Sequence, residues 1–207
     1  MNYHIITDIP ESLHHQILVM IHQSFEERLS AGMHFTCSSY TMDDLKEKVL
    51  SGVCFLAVTE GNDVLGIISF TKYQRGASYL NIAALSPDAK GLGIGSKLFS
   101  LCQERMILDG VKYILSDTAV GAKSSVKWHL DKCGFSKVGM KSFLSTNYYS
   151  YVFRKDLVKQ PFYVKHVKYP LLFFISSVKT VMCQKANGEL TGVGNCLSKL
   201  KHWLEER

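Results

Sequence analysis

The stretch Ser78–Phe99, SYLNIAALSPDAKGLGIGSKLF, joins a predicted strand, a glycine-rich turn and a predicted helix without a break. Gly91, Gly93 and Gly95 leave the backbone of the turn open to the close approach of a ligand. Unpaired N–H groups at the start of the helix, with the positive end of its dipole, favour a phosphate there. The glycines are equally compatible with a plain strand-to-helix turn that needs them for its geometry.

The spacing of these glycines excludes two common phosphate-binding motifs. A dinucleotide-binding G-x-G-x-x-G needs a third glycine where Ser96 stands. A P-loop needs Gly-Lys followed by Ser or Thr, whereas this chain has Ser96 before Lys97. A different motif is therefore required to explain the turn.

The turn resembles the acetyl-CoA motif Q/R-x-x-G-x-G/A of the GNAT superfamily of N-acetyltransferases, with KGLGIG at Lys90–Gly95. The second signature of that family, a short helix closing in YEKLGF, is similar to LDKCGF at Leu130–Phe135. The resemblance covers Met1 to Asp156 and leaves the tail uncovered. It implies an α/β fold with a mixed, mostly antiparallel central sheet flanked by helices.

The resemblance also implies a co-substrate, acetyl-CoA, and places it on particular backbone groups. The pantetheine arm is expected along the strand residues Ala83, Ala84 and Leu85. The pyrophosphate is expected on the amides of Gly91, Leu92, Gly93, Ile94, Gly95 and Ser96. Lys90 stands where the family prefers Gln or Arg, so it keeps the charge without a forked geometry. Lys123 is expected to meet a CoA phosphate, with a solvated lysine as the alternative.

The family activity implied is direct transfer of an acetyl group to a primary amine of a small molecule or peptide, within a ternary complex. Leu130 stands where many relatives have a tyrosine as general acid, and Lys123 where many have an asparagine. Tyr79 and Asn81 occupy the places of a carboxylate base. These departures leave open a catalytically inactive acyl-CoA-binding sensor or interaction module, and a nucleotide-binding protein of another fold.

Three residues are candidates for the missing catalytic groups: His129, Tyr149 and Asn81. His129 neighbours the vacant tyrosine position and has a pKa suited to acid or base work, but a packed helix histidine is the alternative. Alternation along a strand separates Tyr149 from Tyr148, so only one of the two faces the acceptor pocket. Plain aromatic packing in the sheet is the alternative for both tyrosines.

Hydrophobic periodicity and turn residues predict antiparallel strands first, then strands alternating with helices, which favours a sheet covered on both faces. The predicted helices are 11–30, 41–50, 95–109 and 124–132, and the predicted strands are 3–7, 53–60, 64–73, 78–85, 112–116, 135–140 and 148–154. We divide the chain into a catalytic domain, residues 1–157, and a basic, aromatic extension, residues 158–207, ending in an amphipathic helix, Cys196–Glu206.

The charge balance argues against nucleic acid as a partner. The chain carries 24 Lys and Arg against 18 Asp and Glu, a net charge of +6, of which five units lie from Leu157 onward. This excess is too small for a nucleic-acid-binding footprint. The sequence also lacks a dense acidic cluster that would select a polyamine as acceptor.

The six cysteines are scattered, with no C-x-x-C and no metal-ligand spacing, so we expect buried reduced thiols and no metal. Because none has an evident base partner in sequence, a covalent enzyme intermediate is disfavoured. The N-terminus lacks the pattern of a signal peptide, which together with the cysteines predicts a cytoplasmic protein.

The segment Phe162–Ile175 mixes aromatic residues with lysines. It either packs back on the domain and shapes the acceptor site, forms a homodimer contact, or rests on an anionic membrane surface. Pro161 and Pro170 argue against a continuous helix. The apolar run from Pro170 to Met182 is too short and too polar to span a bilayer.

Overall fold

The computed structural model describes residues 2–72, 76–189 and 191. These residues form a seven-stranded sheet in the order β1-β2-β3-β4-β5-β7-β6. All neighbouring strands are antiparallel except β4 and β5, which run parallel. The strands are β1 Tyr3–Ile6, β2 Val53–Thr59, β3 Val64–Lys72, β4 Ala77–Leu85, β5 Tyr113–Ala119, β6 Ser136–Ser142 and β7 Tyr149–Asp156. The predicted fold class, a mixed and mostly antiparallel sheet flanked by helices, is confirmed.

Helices cover both faces of the sheet. They are α1 His14–Ser30, α2 Met42–Asp44 continuing as the π-helical turn Leu45–Leu50, α3 Ile94–Leu108, α4 Lys123–Lys127 continuing as the π-helical turn Trp128–Lys132, and α5 Tyr169–Cys183. At α2, Thr41 forms a capping box with Asp44, whose amide donates to the threonine hydroxyl at 3.2 Å. Among the described residues, no helix combines the length and apolarity needed to cross a bilayer.

Two hydrophobic clusters fix the helices to the sheet. On one face, Ile17 and Ile21 of α1 are buried against Leu56 of β2 and Ile67 of β3. On the other face, Leu98, Cys102 and Met106 of α3 pack with Ile68, Phe70 and Ile114. The two clusters hold the strands between α1 and α3, so the two faces of β4 are covered by different helices.

The extension after β7 contains a helix, although Pro161 and Pro170 argued against a continuous one in the sequence. The π-helical turn Val164–Lys168 runs directly into α5, so the chain stays helical across Pro170. The helix packs on β6, where the Ser176 hydroxyl donates to the Met140 carbonyl at 2.8 Å. Packing against the domain is therefore what the structure shows for this part of the extension. The predicted helix Cys196–Glu206 lies outside the described residues.

Candidate active site

The parallel pair β4–β5 separates halfway along its length. Paired positions run only from Ala77 opposite Tyr113 to Tyr79 opposite Leu115, although both strands continue well beyond. The cause lies in β4, where Ser69 pairs with Ile82 but Phe70 with Leu80, so the residue between, Asn81, is an unpaired β-bulge. A bulge bends its strand and increases the local twist. The result is an opening between two adjacent strands of an otherwise continuous sheet.

A cavity of about 490 Å³ lies at this opening. Its lining falls into two groups that come from different parts of the chain. The first group, here called the glycine half, consists of Ala83, Ala84, Leu85, Lys90, Gly91, Gly95, Leu98, Ser124, Ser125, Trp128 and His129. The second, here called the aromatic half, includes Phe25, Arg28, Phe35, Tyr40, Tyr79, Asp117, Phe143, Thr146 and Tyr148.

The glycine-rich turn has the backbone conformation that its sequence predicts. Gly91 and Gly93 have φ values of 82° and 79°, in the left-handed region that side chains disfavour. Gly93 is the residue before the first turn of α3 and has no side chain that could cap the amides there. A Cβ added to Gly93 would meet no atom within 4 Å, so the glycine serves conformation and access and not internal packing.

Gly95 has a different role from the two glycines before it. An added Cβ would lie 3.3 Å from Leu85 Cδ1 and 3.7 Å from Trp128 Nε1. The start of α3 therefore lies directly against the end of β4 and the α4 turn. This close packing brings the free amides of α3 to the edge of the cavity, as required for an anion-binding helix terminus.

The remaining predicted cofactor residues fall beside the cavity and not in its wall. Ile94 is buried in the core, so only its backbone is available to a ligand, whereas the Leu92 side chain is exposed. Gly93 and Ser96 lie in the same turn, next to the lining residues Gly91 and Gly95. Lys123 begins α4, is exposed and lies outside the lining, while its neighbour Ser124 is part of it.

His129 lines the cavity, but both ring nitrogens are engaged. Its Nδ1 lies 2.8 Å from the Ser125 carbonyl oxygen, which can only accept, so Nδ1 carries the proton. Nε2, 2.9 Å from Ser116 Oγ, then accepts the serine hydroxyl in the neutral ring. The ring is 3% exposed, stacks on Phe153 and has its pKa lowered to about 4 by burial.

This geometry supports the packed-histidine alternative for His129. A neutral ring whose single N–H is donated to a carbonyl has no proton to give to a leaving group. With a pKa of about 4 the ring is also a weak base near neutral pH. The residue instead fixes the Ser116 hydroxyl and closes the wall of the glycine half.

The other two catalytic candidates divide between the cavity and its exterior. Asn81 lines the cavity and is anchored by its amide, which donates to Thr71 Oγ1 at 2.7 Å. The Tyr149 hydroxyl donates to the Gln184 carbonyl at 2.9 Å, away from the cavity, and Tyr149 is outside the lining. Tyr148, which immediately precedes β7, lines the aromatic half, so the cavity is lined by Tyr148 and not by Tyr149.

Asp117 is a functional candidate that the sequence analysis did not identify. It lies on β5, two residues past the last β4–β5 pair, and accepts a hydrogen bond from the Tyr79 hydroxyl across the opening. Burial raises the pKa of its carboxyl group, and the Lys141 charge partly opposes that shift. Asp117 is the only charged residue of the strand Tyr113–Ala119, and this was the signal available in the sequence, because an ionisable group in a buried strand needs polar surroundings.

Aromatic rings from distant segments enclose the space next to Asp117. Phe35 lies between Phe25 and Tyr148, at centroid distances of 5.3 Å and 4.9 Å. The Arg28 guanidinium lies over the rings of Phe25 and Phe35, at 4.9 Å and 5.2 Å from their centroids. Burial raises the pKa of Tyr148, so its hydroxyl stays protonated at neutral pH. The aromatic half thus combines an aromatic enclosure with one carboxylate, Asp117, and one guanidinium, Arg28.

Solved structures with this fold come from distant organisms. The ribosomal-protein-S18-alanine N-acetyltransferase of Escherichia coli matches with a TM-score of 0.59 at 10% identity, covering 78% of this chain and 97% of that one. Salmonella typhimurium yncA, solved with its cofactor acetyl-CoA, matches with a TM-score of 0.61 at 14% identity, covering 78% of this chain and 97% of that one. The paia N-acetyltransferase of Thermoplasma acidophilum, in complex with coenzyme A, matches with a TM-score of 0.61 at 15% identity, covering 75% of this chain and 99% of that one. At these identities the likeness establishes the fold alone.

The family is established by the sequence itself. The search of curated proteins found no match to this sequence. The model of the acetyltransferase (GNAT) family matches residues 18–135, which is more than half of the chain and includes β4, the glycine-rich turn and α4. The chain therefore belongs to the GNAT family of acetyltransferases, whose co-substrate is acetyl-CoA.

Proposed function

We propose that this enzyme transfers an acetyl group from acetyl-CoA to a primary amine of a small molecule or peptide, by direct attack within the opening between β4 and β5. The observation that carries the proposal is the opening itself. Its bulge at Asn81 separates the strands, and the glycine-rich turn lies at the end of β4. A two-sided cavity of this kind can hold two substrates in one complex, so that their orientation lowers the barrier.

The glycine half fits the co-substrate through backbone groups. The Leu85 amide donates to Ser24 Oγ at 3.4 Å, a long bond that another acceptor can replace. The Gly91–Ser96 amides at the start of α3 suit a pyrophosphate, and the exposed Lys90 adds positive charge. We therefore assign Ala83–Leu85 to the pantetheine arm and the turn to the phosphates. When bound, acetyl-CoA supplies a thioester carbonyl carbon.

Asp117 is the residue that we assign as general base in the aromatic half. An acceptor arrives mainly as an ammonium ion, and a buried carboxylate attracts it. The raised pKa of Asp117 makes the carboxylate a stronger base, able to take the ammonium proton. The freed amine forms a C–N bond with the carbonyl carbon and the C–S bond breaks. The second proton lost by the amine nitrogen passes through water to the leaving thiolate, which gives the amide and free CoA thiol.

The thiol closest to the chemistry does not favour a covalent enzyme intermediate. Cys37 lines the cavity, but burial raises its pKa to about 12. Burial likewise raises the pKa of Cys133 to about 12. Since the thiolate and not the thiol is the nucleophile, neither group is activated at neutral pH. Direct attack by the amine is the route that these groups favour.

The test begins with ligand binding and continues with turnover. Acetyl-CoA or CoA at about 100 times its Kd should stabilise the protein by about 2.7 kcal/mol, whereas ATP should not. A panel of primary amines is then screened for acceptor-dependent release of free CoA thiol. Binding without turnover on any amine would leave only a CoA-binding module. A burst of thiol release without acceptor would contradict direct attack.

A further inference from the structure

Helix α5 turns its hydroxyl side chains inward. Ser176 bonds the Met140 carbonyl on β6 at 2.8 Å, and Thr180 bonds the same oxygen at 2.8 Å. The Met140 amide in turn donates to Ser176 Oγ at 3.0 Å. Apolar contacts accompany these bonds, with Phe173 beside Tyr151 at a centroid distance of 5.7 Å. Hydrogen bonds and apolar contacts together therefore attach this helix to the sheet.

The opposite side, here called the outer face of α5, is apolar and exposed. It consists of Leu171, Phe174, Ile175, Val178, Val181 and Met182. Phe174 is 65% exposed and Ile175 is 55% exposed. Phe162, Tyr163 and Val167, just before the helix, are exposed as well. A water-facing helix normally shows the reverse arrangement, and a contiguous apolar patch of this size marks an interaction surface.

Positive charge surrounds this apolar surface. Between Leu157 and Gly188 the sequence contains five lysines and no acidic residue. Lys159, Lys165, Lys168 and Lys179 are exposed, while Lys185 pairs with Glu189 at 3.1 Å. An apolar helix face flanked by lysines is the pattern of a helix that lies in the interface of a membrane.

We propose that the outer face of α5 docks on an anionic lipid surface, with the apolar side chains inserted between headgroups and the lysines contacting lipid phosphates. Charge complementarity selects this occupant over a second copy of the chain. Two copies meeting through this face would bring their lysines together, whereas anionic lipids attract each of them. The helix lies on the surface and does not cross it, because no helix among the described residues is long and apolar enough and its inner face is hydrogen-bonded to β6.

The chain after α5 contacts the β6–β7 connection, where a Cβ on Gly188 would be 2.6 Å from the Leu144 amide nitrogen. Leu144 is exposed, and its neighbour Phe143 lines the cavity. The extension therefore reaches a segment that contributes to the aromatic half.

The experiment is co-sedimentation of the full chain with vesicles. Vesicles of phosphatidylcholine alone are compared with vesicles of phosphatidylcholine mixed with phosphatidylglycerol. We expect binding to the mixed vesicles only, and weaker binding when salt rises from about 0.1 M to about 1 M, which shortens the Debye length from about 10 Å to about 3 Å. Ile175→Glu should weaken binding at least about tenfold, since it puts a negative charge in place of an apolar side chain that inserts between the headgroups.

The matched control is Leu108→Glu at the end of α3, where the leucine is 84% exposed and away from α5. It should bind vesicles like the parent protein. Absence of binding to the mixed vesicles, or equal binding by Ile175→Glu, would overturn the proposal. So would a concentration-dependent dimer that Ile175→Glu dissociates, or a melting temperature that Ile175→Glu lowers by several degrees in solution. The last result would mean that another part of the chain covers the face. Acetyl transfer to a water-soluble amine tests the proposed function separately.

Discussion

The two halves of the cavity differ in the chemical groups that line them, which are mainly backbone groups in one and side chains in the other. The glycine half presents mainly backbone: Gly91 with its positive φ, the uncapped first turn of α3 next to it, and the strand edge at Ala83–Leu85. The aromatic half presents side chains, with Phe25, Phe35 and Tyr148 around Asp117. Backbone groups can serve any member of the family in the same way, whereas side chains can change without disturbing the sheet. The glycine half should therefore determine what donates the acetyl group, and the aromatic half what receives it.

The largest effect should follow from Asp117→Asn, which removes the base but keeps the side-chain shape. General-base catalysis contributes about 10²- to 10⁴-fold, so kcat should fall by at least about 10². The KM for acetyl-CoA should not change, because Asp117 lies outside the glycine half. Since burial raises the pKa of Asp117 above its ordinary 3.8, kcat/KM of the parent should decline as pH falls through that raised value. Steady-state kinetics against pH measure both effects.

Asp131→Asn is the control for this change, because Asp131 is exposed on the turn that follows α4. It should keep the activity and the pH profile of the parent. If Asp117→Asn retains full kcat with the same acidic limb, the base lies elsewhere and the aromatic half only binds the acceptor.

The conformation of the glycine-rich turn could be predicted from a contiguous stretch of sequence, whereas its binding of acetyl-CoA stays a prediction. The turn and the start of α3 depend on φ values and free amides, which the glycines determine locally. The aromatic half instead depends on strand order. Asp117 faces Tyr79 only because β5 runs parallel to β4, and Tyr148 approaches Phe35 from a segment more than 100 residues away. No local pattern records these contacts, so Asp117 was missed and Tyr149 was chosen in place of Tyr148.

The second prediction concerns His129, which we place in the wall and not in the chemistry. Burial lowers its pKa from 6.5 to about 4, so the folded protein favours the neutral ring. Between these values the unfolded chain binds more protons, and stability should fall as pH decreases, by up to about 1.4 kcal/mol per pH unit. His129→Asn should flatten this dependence between about pH 6.5 and pH 4. Denaturant unfolding of both proteins across that range measures the difference.

The kinetics of His129→Asn sharpen the same point. If His129 supports the wall, the pH profile of kcat/KM keeps its shape while stability changes. The opposite result would be that the unfolding free energies of the two proteins change equally with pH, or that His129→Asn removes one limb of the pH profile of kcat/KM. Either would place His129 in the catalytic machinery.

The third prediction separates ligand binding from backbone strain. Gly93→Ala and Gly110→Ala both place a side chain at positive φ, 79° and 73°, with no atom within 4 Å of the new Cβ. Each should cost about 1–2 kcal/mol of stability. Only Gly93→Ala should raise the Kd for acetyl-CoA, by about tenfold, because Gly110 lies at the far end of α3. Calorimetric titration with acetyl-CoA compares the two variants. If both have the same Kd, the glycine-rich turn does not contribute to binding.

The smallest effect should come from Tyr149→Phe. The Tyr149 hydroxyl donates to the Gln184 carbonyl at 2.9 Å, so its removal should cost about 1 kcal/mol of stability and leave kcat unchanged. Tyr148→Phe is the matched change on the adjacent residue, and it should raise the KM for the amine because Tyr148 lines the aromatic half. Thermal unfolding and steady-state kinetics on both variants make the comparison. A large loss of kcat in Tyr149→Phe with an intact fold would mean that the extension, through Gln184, positions a catalytic hydroxyl, and the aromatic half would then continue past Tyr148.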